Sequence, residues 1–587
     1  MSNLACTKDS DSPGVREAMK WLLSGVSVLA FGSASSGLAA DIPVETLIKA
    51  PALWSWAGLY IGVHAGSAMG LNTVNDPLGP SIFGDQIHSP GAFGGGQIGF
   101  NWQAPSSSWV FGVEADASLA SLDGTNTCFA FSGTFTSLNC RAHTDAFGTA
   151  TGRIGLAFGP FGRSLAYAKG GLAWGHSNVD MIINNSLFVV DGTSSTGFTA
   201  VGWTIGAGAE YALTPHWTVK AEYDFMDLGH SGVGAPSPSV TTELLPDPVT
   251  GLPKGAFFAV PGTNVSQQIH AFKLGLNYKF GPDTAPFPGA AVFPAVVASG
   301  WNIEVGGRYW YSTGRFQKDF APGVLGPQNP TLNISRITWD SLTANSGEGF
   351  GRIDTPWNFF AKGFAGGGKI NGGTVNDEDW GIPIPFAAVN TGYSNTVGNA
   401  TGDLSYWTID GGYDFIRGPG LKMGAFVGYN EYRDNKSSFT CAEIALLASG
   451  ICNPPINAFV LGENDKWQSL RVGGNAEVML TDRLKLAADV AYLPYVTLTG
   501  QDFHPLRPFV ADETGKGIGT QAELFLDYYL TPQFSVGAGG RFWAMWTTSG
   551  TSCRVPPDGA CPTPLQNVQF KTERYGLLLQ AAYKFLP

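Results

Sequence analysis

Two short runs hold the side chains best suited to moving a proton. One is Asn376-Asp377-Glu378-Asp379-Trp380, the other Gly500-Gln501-Asp502-Phe503-His504. An Asp two residues from a His can orient the imidazole and stabilise its charge, so that the ring takes a proton from water. A carboxylate pair such as Asp377 and Asp379 across a groove can hold that water and shift neighbouring pKa values. Taken alone, an acidic run is ordinarily a solvated patch, and an Asp-x-His is more often incidental than catalytic. Only convergence of the two runs makes a hydrolytic site.

Other chemistries find little support. The chain has no CxxC, no HExxH, no phosphate-binding glycine loop before a helix and no GxSxG with an assignable base. Its eight histidines are scattered singly, so neither a metal nor a cofactor is expected.

The elements that must position these runs can be counted from alternation. In the first half, apolar-alternating segments cover roughly 56–70, 92–103, 109–122, 144–158, 164–178, 198–213, 216–230 and 267–280. Short turns at Ala104–Ser108, Gly159–Gly162 and Thr214–His216 alternate with long connections at 71–91, 123–143, 179–197 and 231–266. Short inner turns against long outer loops form the pattern of an outer-membrane barrel, here of eight strands. The second half repeats it with ten strands, near 300–316, 335–354, 358–372, 403–416, 421–436, 466–481, 483–500, 517–531, 533–548 and 571–585. The fold class is therefore all-β, as two tandem transmembrane antiparallel barrels of eight and then ten strands. A single 18-stranded pore is the competing topology; Pro282, Pro286, Pro288 and Pro294 argue against it by marking 281–299 as a periplasmic linker. Both acidic runs then fall in outer loops, after the third and seventh strands of the second barrel.

The address agrees. Lys20, the apolar run Trp21–Phe31 and the small residues Gly37–Ala40 read as a signal peptide over 1–40, with Met1 or Met19 as the start. The barrels then occupy 41–280 and 300–587. Cysteines pair at short range as Cys128/Cys140, Cys441/Cys452 and Cys553/Cys561, which suits disulfide-closed outer loops in an oxidising compartment. Only 14% of residues are charged, against ~25% in an ordinary soluble protein. The net charge of −12 argues against nucleic acid as a partner. The expected location is the outer membrane, with its lipid as the solvent of the barrel walls.

One strand carries a further candidate. Leu421, Met423, Ala425, Val427 and Tyr429 share the lipid face, and Glu431 and Arg433 continue it outward, where an Arg suits a lipid phosphate or simply snorkels.

Each half resembles a known family. Trp56-Ala57-Gly58-Leu59-Tyr60-Ile61-Gly62-Val63, Gln97-Ile98-Gly99-Phe100-Asn101-Trp102 and Leu274-Gly275-Leu276-Asn277-Tyr278-Lys279-Phe280 resemble the small eight-stranded outer-membrane surface antigens of alphaproteobacteria. That likeness implies a structural or envelope role. In residues 300–587, the ten-strand count, the Asp-x-Asp-Trp run, the Asp-x-His run and Gly428-Tyr429-Asn430-Glu431-Tyr432-Arg433 resemble the omptins, outer-membrane endopeptidases. By that resemblance Asp502 and His504 activate water, Asp377 and Asp379 bind and polarise it, and lipopolysaccharide is required at Glu431 and Arg433, with peptides or proteins at the cell surface as substrates. The chain departs from the family at Gly500, where omptins carry an acid that helps select basic residues, and near Lys318 and Asp319, where neither residue is a clear pocket acid. The alternative is a non-enzymatic structural or adhesin-type protein with an inactive omptin-like rim; a diffusion pore is a third class.

Non-reducing peptide mapping is expected to join Cys128 to Cys140, Cys441 to Cys452 and Cys553 to Cys561. Any other linkage overturns the loop assignment.

Overall fold

The computed structural model describes residues 54–75, 86–130, 137–184, 193–236, 263–281, 300–321, 333–382, 392–418, 420–445, 458–506, 509–554 and 565–585. The signal segment 1–40, the body of the linker, Cys452 and Cys561 lie outside them.

Hydrocarbon offers no partner for a backbone N–H or C=O, so a sheet crossing a bilayer must close on itself. Two rings do so. The first comprises β1 (Gly58–Asn75), β2 (Gln86–Trp102), β3 (Trp109–Ala130), β4 (Ser137–Phe158), β5 (Ser164–Asn184), β6 (Thr193–Ala212), β7 (Trp217–Val233) and β8 (Thr263–Lys279), closed by β1 against β8.

The second ring comprises β9 (Asn302–Phe320), β10 (Ser335–Asp354), β11 (Phe359–Ile382), β13 (Thr401–Gly418), β14 (Leu421–Ser438), β16 (Leu461–Met479), β17 (Leu484–His504), β18 (Phe509–Tyr529), β19 (Phe534–Arg554) and β20 (Gln566–Phe585). It closes through β9 against β20 and β10 against β11. Two short strands, β12 (Gly392–Asn399) and β15 (Ala442–Ala445), branch from the top of β11. Two separate closures exclude the single 18-stranded pore.

Alternation puts opposite chemistries on the two faces. On β6, Val201, Trp203 and Ile205 are exposed to lipid. Inside the first ring, Lys220 meets Glu114 at 2.9 Å, Lys169 meets Glu222 at 2.8 Å and Lys273 meets Asp224 at 2.7 Å, all buried. Charges so placed satisfy one another and fill the lumen, as expected for so narrow a barrel. The second lumen is plugged at mid-height by Trp310, Trp339, Tyr406, Trp467, Trp543 and Phe570, among others. Leu578, the odd residue on the inner face of β20, belongs to this plug. At the short-turn end the rings touch through Tyr211, Leu213, Leu421, Val478 and Leu480, and the Ser164 hydroxyl donates to the Leu480 carbonyl at 3.0 Å.

The inner turns fall where alternation places them; the outer strand ends do not. β11 is 24 residues long and β17 is 21, against ~9–11 needed to span a bilayer. Beyond the lipid no apolar face is required, so alternation fades while pairing continues. Both acidic runs therefore lie on strand ends and not in loops. Cys128 and Cys140 likewise sit on β3 and β4, where their disulfide staples a hairpin with Cα atoms 5.7 Å apart. Cys553 is on β19; both it and Cys441 are disulfide-bonded.

Ile205→Arg, at mid-height on the lipid face, is expected to destabilise the first barrel by about 2–4 kcal/mol, read by urea unfolding in lipid vesicles.

Candidate functional site

Register decides which rim residues face the mouth. Lys318 on β9 opposes Ile337 on β10, which opposes Asp377 on β11. Cross-strand partners share a face, and Lys318 is buried in the mouth, so Asp377 points inward, with Asp379 two residues on. Val375, of the same parity, packs into the aromatic plug below. On the far wall Asp502 opposes Glu463 of β16, and His504 follows with the same parity. Pro494 prevents parity from being carried along β17 by sequence; the structure shows a register shift between Leu493 and Val496 there. That shift turns Asp502 and His504 toward the mouth.

The two side chains of the Asp-x-His run lie side by side. His504 Nδ1 lies 3.2 Å from Asp502 Oδ1, with both side chains largely buried. Burial opposes the imidazolium, but Asp502 and then Asp377 outweigh it, so His504 titrates above its ordinary 6.5. Burial also opposes the Asp502 carboxylate; Lys318 and His504 overcome this and hold it below its ordinary 3.8. Asp377 and Asp379 are both partly buried.

Lys318, left unassigned by the sequence, is central. Its ammonium reaches Asp502 at 3.0 Å, Glu463 at 2.5 Å and Glu513 at 3.0 Å, wholly buried. Burial lowers the charge preference of this amine, and the three carboxylates reverse that, leaving it well above the ordinary lysine value. Burial and then the Glu513 charge push Glu463 well above its ordinary value. Deeper still, Lys436 pairs with Asp465 at 2.7 Å and Asp434 at 3.0 Å. Glu463, Asp465 and Glu513 lie close enough to share a cation, yet Lys318 and Lys436 already supply positive charge to them. Sequence reasoning missed Glu463 and Glu513. Their signal was parity: Glu463, Asp465 and Trp467 alternate on one face, and Trp467 is buried in the plug.

Glu431 and Arg433 stand elsewhere, on the outer face of β14. Arg433 Nε donates to Glu431 Oε1 at 2.7 Å, and Gln468 Nε2 to Glu431 Oε2 at 2.9 Å, leaving the guanidinium half-exposed. With Lys466, Asn435, Gln501 and Asp512, Arg433 lines an open groove on the outer wall.

Comparison with known proteins concerns the two halves differently. Residues 32–280 match the family model described as outer membrane protein beta-barrel domain. The 31 kDa outer-membrane immunogenic protein of Brucella melitensis is 30% identical over 259 residues, covering 42% of this chain and 95% of the relative. The 22 kDa outer membrane protein of Rhizobium leguminosarum is 31% identical over 179 residues, covering 30% of this chain and 64% of the relative. Among solved structures, the outer membrane protease OmpT of Escherichia coli aligns over 48% of this chain and 97% of its own length, at 14% identity and a TM-score of 0.38.

Two opposed shifts make the dyad pH-sensitive. The Asp502 contribution to stability is present above its ordinary pKa of 3.8 and is lost as pH falls through its depressed value. The His504 contribution is present below 6.5 and is lost as pH rises through its raised value. NMR titration of labelled histidine is expected to place His504 above 6.5, and Asp502→Asn to move it downward. An unmoved His504 in that variant breaks the dyad assignment.

Proposed function

Since this chain belongs, through its first barrel, to the outer-membrane family of the 31 kDa immunogenic proteins, we propose that it is an outer-membrane protein whose second barrel is a surface endopeptidase. The observation that carries this reading is the buried Asp502–His504 contact at the mouth, with Asp377 in an inward register position on β11. With Nδ1 toward Asp502, Nε2 is the ring nitrogen given the role of base. A water held by Asp377 and Asp379 gives its proton to Nε2 as its oxygen attacks the peptide carbonyl; the same proton then passes to the departing amine. No covalent intermediate and no metal enter this scheme.

Gly500 supplies no acid where omptins carry one, so a preference for Arg or Lys does not carry over from the resemblance, and the Lys318 charge is matched by Asp502, Glu463 and Glu513. Lipopolysaccharide binds through a phosphate at Arg433, whose guanidinium Glu431 fixes in place. One observation favours the alternative, a structural or adhesin-type protein with an inactive rim: Lys318 already claims Asp502 at 3.0 Å.

Peptide cleavage by the full chain with lipopolysaccharide decides between them. Asp502→Ala and His504→Ala are each expected to lower kcat at least about 100-fold, as loss of a general base does. The acid limb of the pH profile should lie above 6.5. Equal turnover by all three forms, or none by the unmutated chain across many peptides, removes the peptidase. Arg433→Ala should weaken activation by lipopolysaccharide without altering the acid limb.

A further inference from the structure

The residues between the inward-facing acids point away from the mouth, and there they meet the first barrel. Glu378, between Asp377 and Asp379, is fully buried and accepts a hydrogen bond from the Thr127 hydroxyl of β3 at 3.0 Å. Arg336, opposite Glu378 in register, is also fully buried. Its Nη1 donates to Thr127 Oγ1 at 2.8 Å, its Nη2 to Asn139 Oδ1 of β4 at 2.6 Å, and its Nε to Asp319 Oδ1 at 2.7 Å.

The same alternation operates on β9. Lys318, which holds Asp502, lies between Gln317 and Asp319, and both turn outward to Thr125 of β3. Thr125 Oγ1 donates to Asp319 Oδ2 at 2.6 Å, and Gln317 Nε2 donates to the Thr125 carbonyl at 3.0 Å. At the edge of this contact Lys571 approaches Asp123 at 3.9 Å, and His88 contacts Glu573 at 2.5 Å. The gripping residues Thr125, Thr127 and Asn139 flank the Cys128–Cys140 disulfide, which ties β3 to β4 at the top of the first ring.

We propose that the disulfide-stapled β3–β4 hairpin of the first barrel is a lateral brace for the second. Through Arg336 and Glu378 it fixes the rim strand that presents Asp377 and Asp379. Arg336 is a positioning residue: it touches no reacting group and acts through β11. A buried guanidinium with fixed carboxylate and amide partners holds one register, because any slip leaves charges unpaired in a dry contact. The role given to the Asp pair rests on the peptidase reading; the brace itself does not. It also accounts for two rings on one chain, since a tethered partner finds this contact at high effective concentration.

Carbodiimide coupling of the full chain in lipid tests the contact without mutation. Lys571 is expected to form an isopeptide with Asp123, alongside the Lys369–Asp403 pair, 3.9 Å apart on the second barrel, as internal control. Recovery of the control without Lys571–Asp123 overturns the brace. Hydrogen exchange tests its effect. Arg336→Met, and Asn139→Leu on the first barrel in case the former does not fold, should speed exchange across 374–380 by at least about threefold while leaving 484–492 unchanged. The His504 titration should also move downward in Asn139→Leu, because a loosened β11 withdraws Asp377. Unchanged exchange at 374–380, or an unmoved His504, counts against positioning. Each of these readouts is independent of turnover, so an inactive chain would remove the peptidase and leave the brace standing.

Discussion

In a bilayer every backbone N–H and C=O must find its partner within the protein, and the rest of this structure follows from that demand. Pairing of this kind closes each sheet into a ring, and a ring has only two faces. Successive side chains then divide strictly between lipid and lumen. The division explains why ionic groups such as Lys220 and Glu114 can sit fully buried within the first ring, each neutralised by the other. It also explains why Ile205 and Trp203, apolar and exposed, need no protein partner.

Above the membrane the demand for an apolar face disappears, while the demand for pairing persists to the strand ends. The second barrel uses that freedom. Its lumen is closed by an aromatic plug, and the inward positions above it become polar. There Lys318 binds Asp502, Glu463 and Glu513, and His504 leans on the same Asp502. In so little water these groups interact strongly, and their titration is set by one another more than by solvent. Carboxylates on the same wall are thus pushed in opposite directions, Asp502 below its ordinary value and Glu463 above it, although Lys318 contacts both.

Outward positions at the same height have a different use. Where the first ring lies alongside, Arg336, Asp319 and Glu378 form a buried polar contact with Thr125, Thr127 and Asn139. On β9 and β11 alternation therefore places the mouth acids and Lys318 on one side and the contact with the first ring on the other. On another part of the wall, Arg433 stays half-exposed beside Glu431.

The sequence by itself determined the number of rings, their strand counts and the positions of the inner turns. These are legible because alternation and turn composition are local. The outer strand ends were not, since β11 and β17 continue as polar strands with no periodic signal. Nor was the inward direction of Asp502, which hangs on the register shift after Leu493. Lys318 and Arg336 acquired roles only in three dimensions: one faces acids on β16, β17 and β18, the other a hairpin of the neighbouring ring. Such contacts join residues far apart in the chain, and only closure of the rings and their lateral packing bring them together.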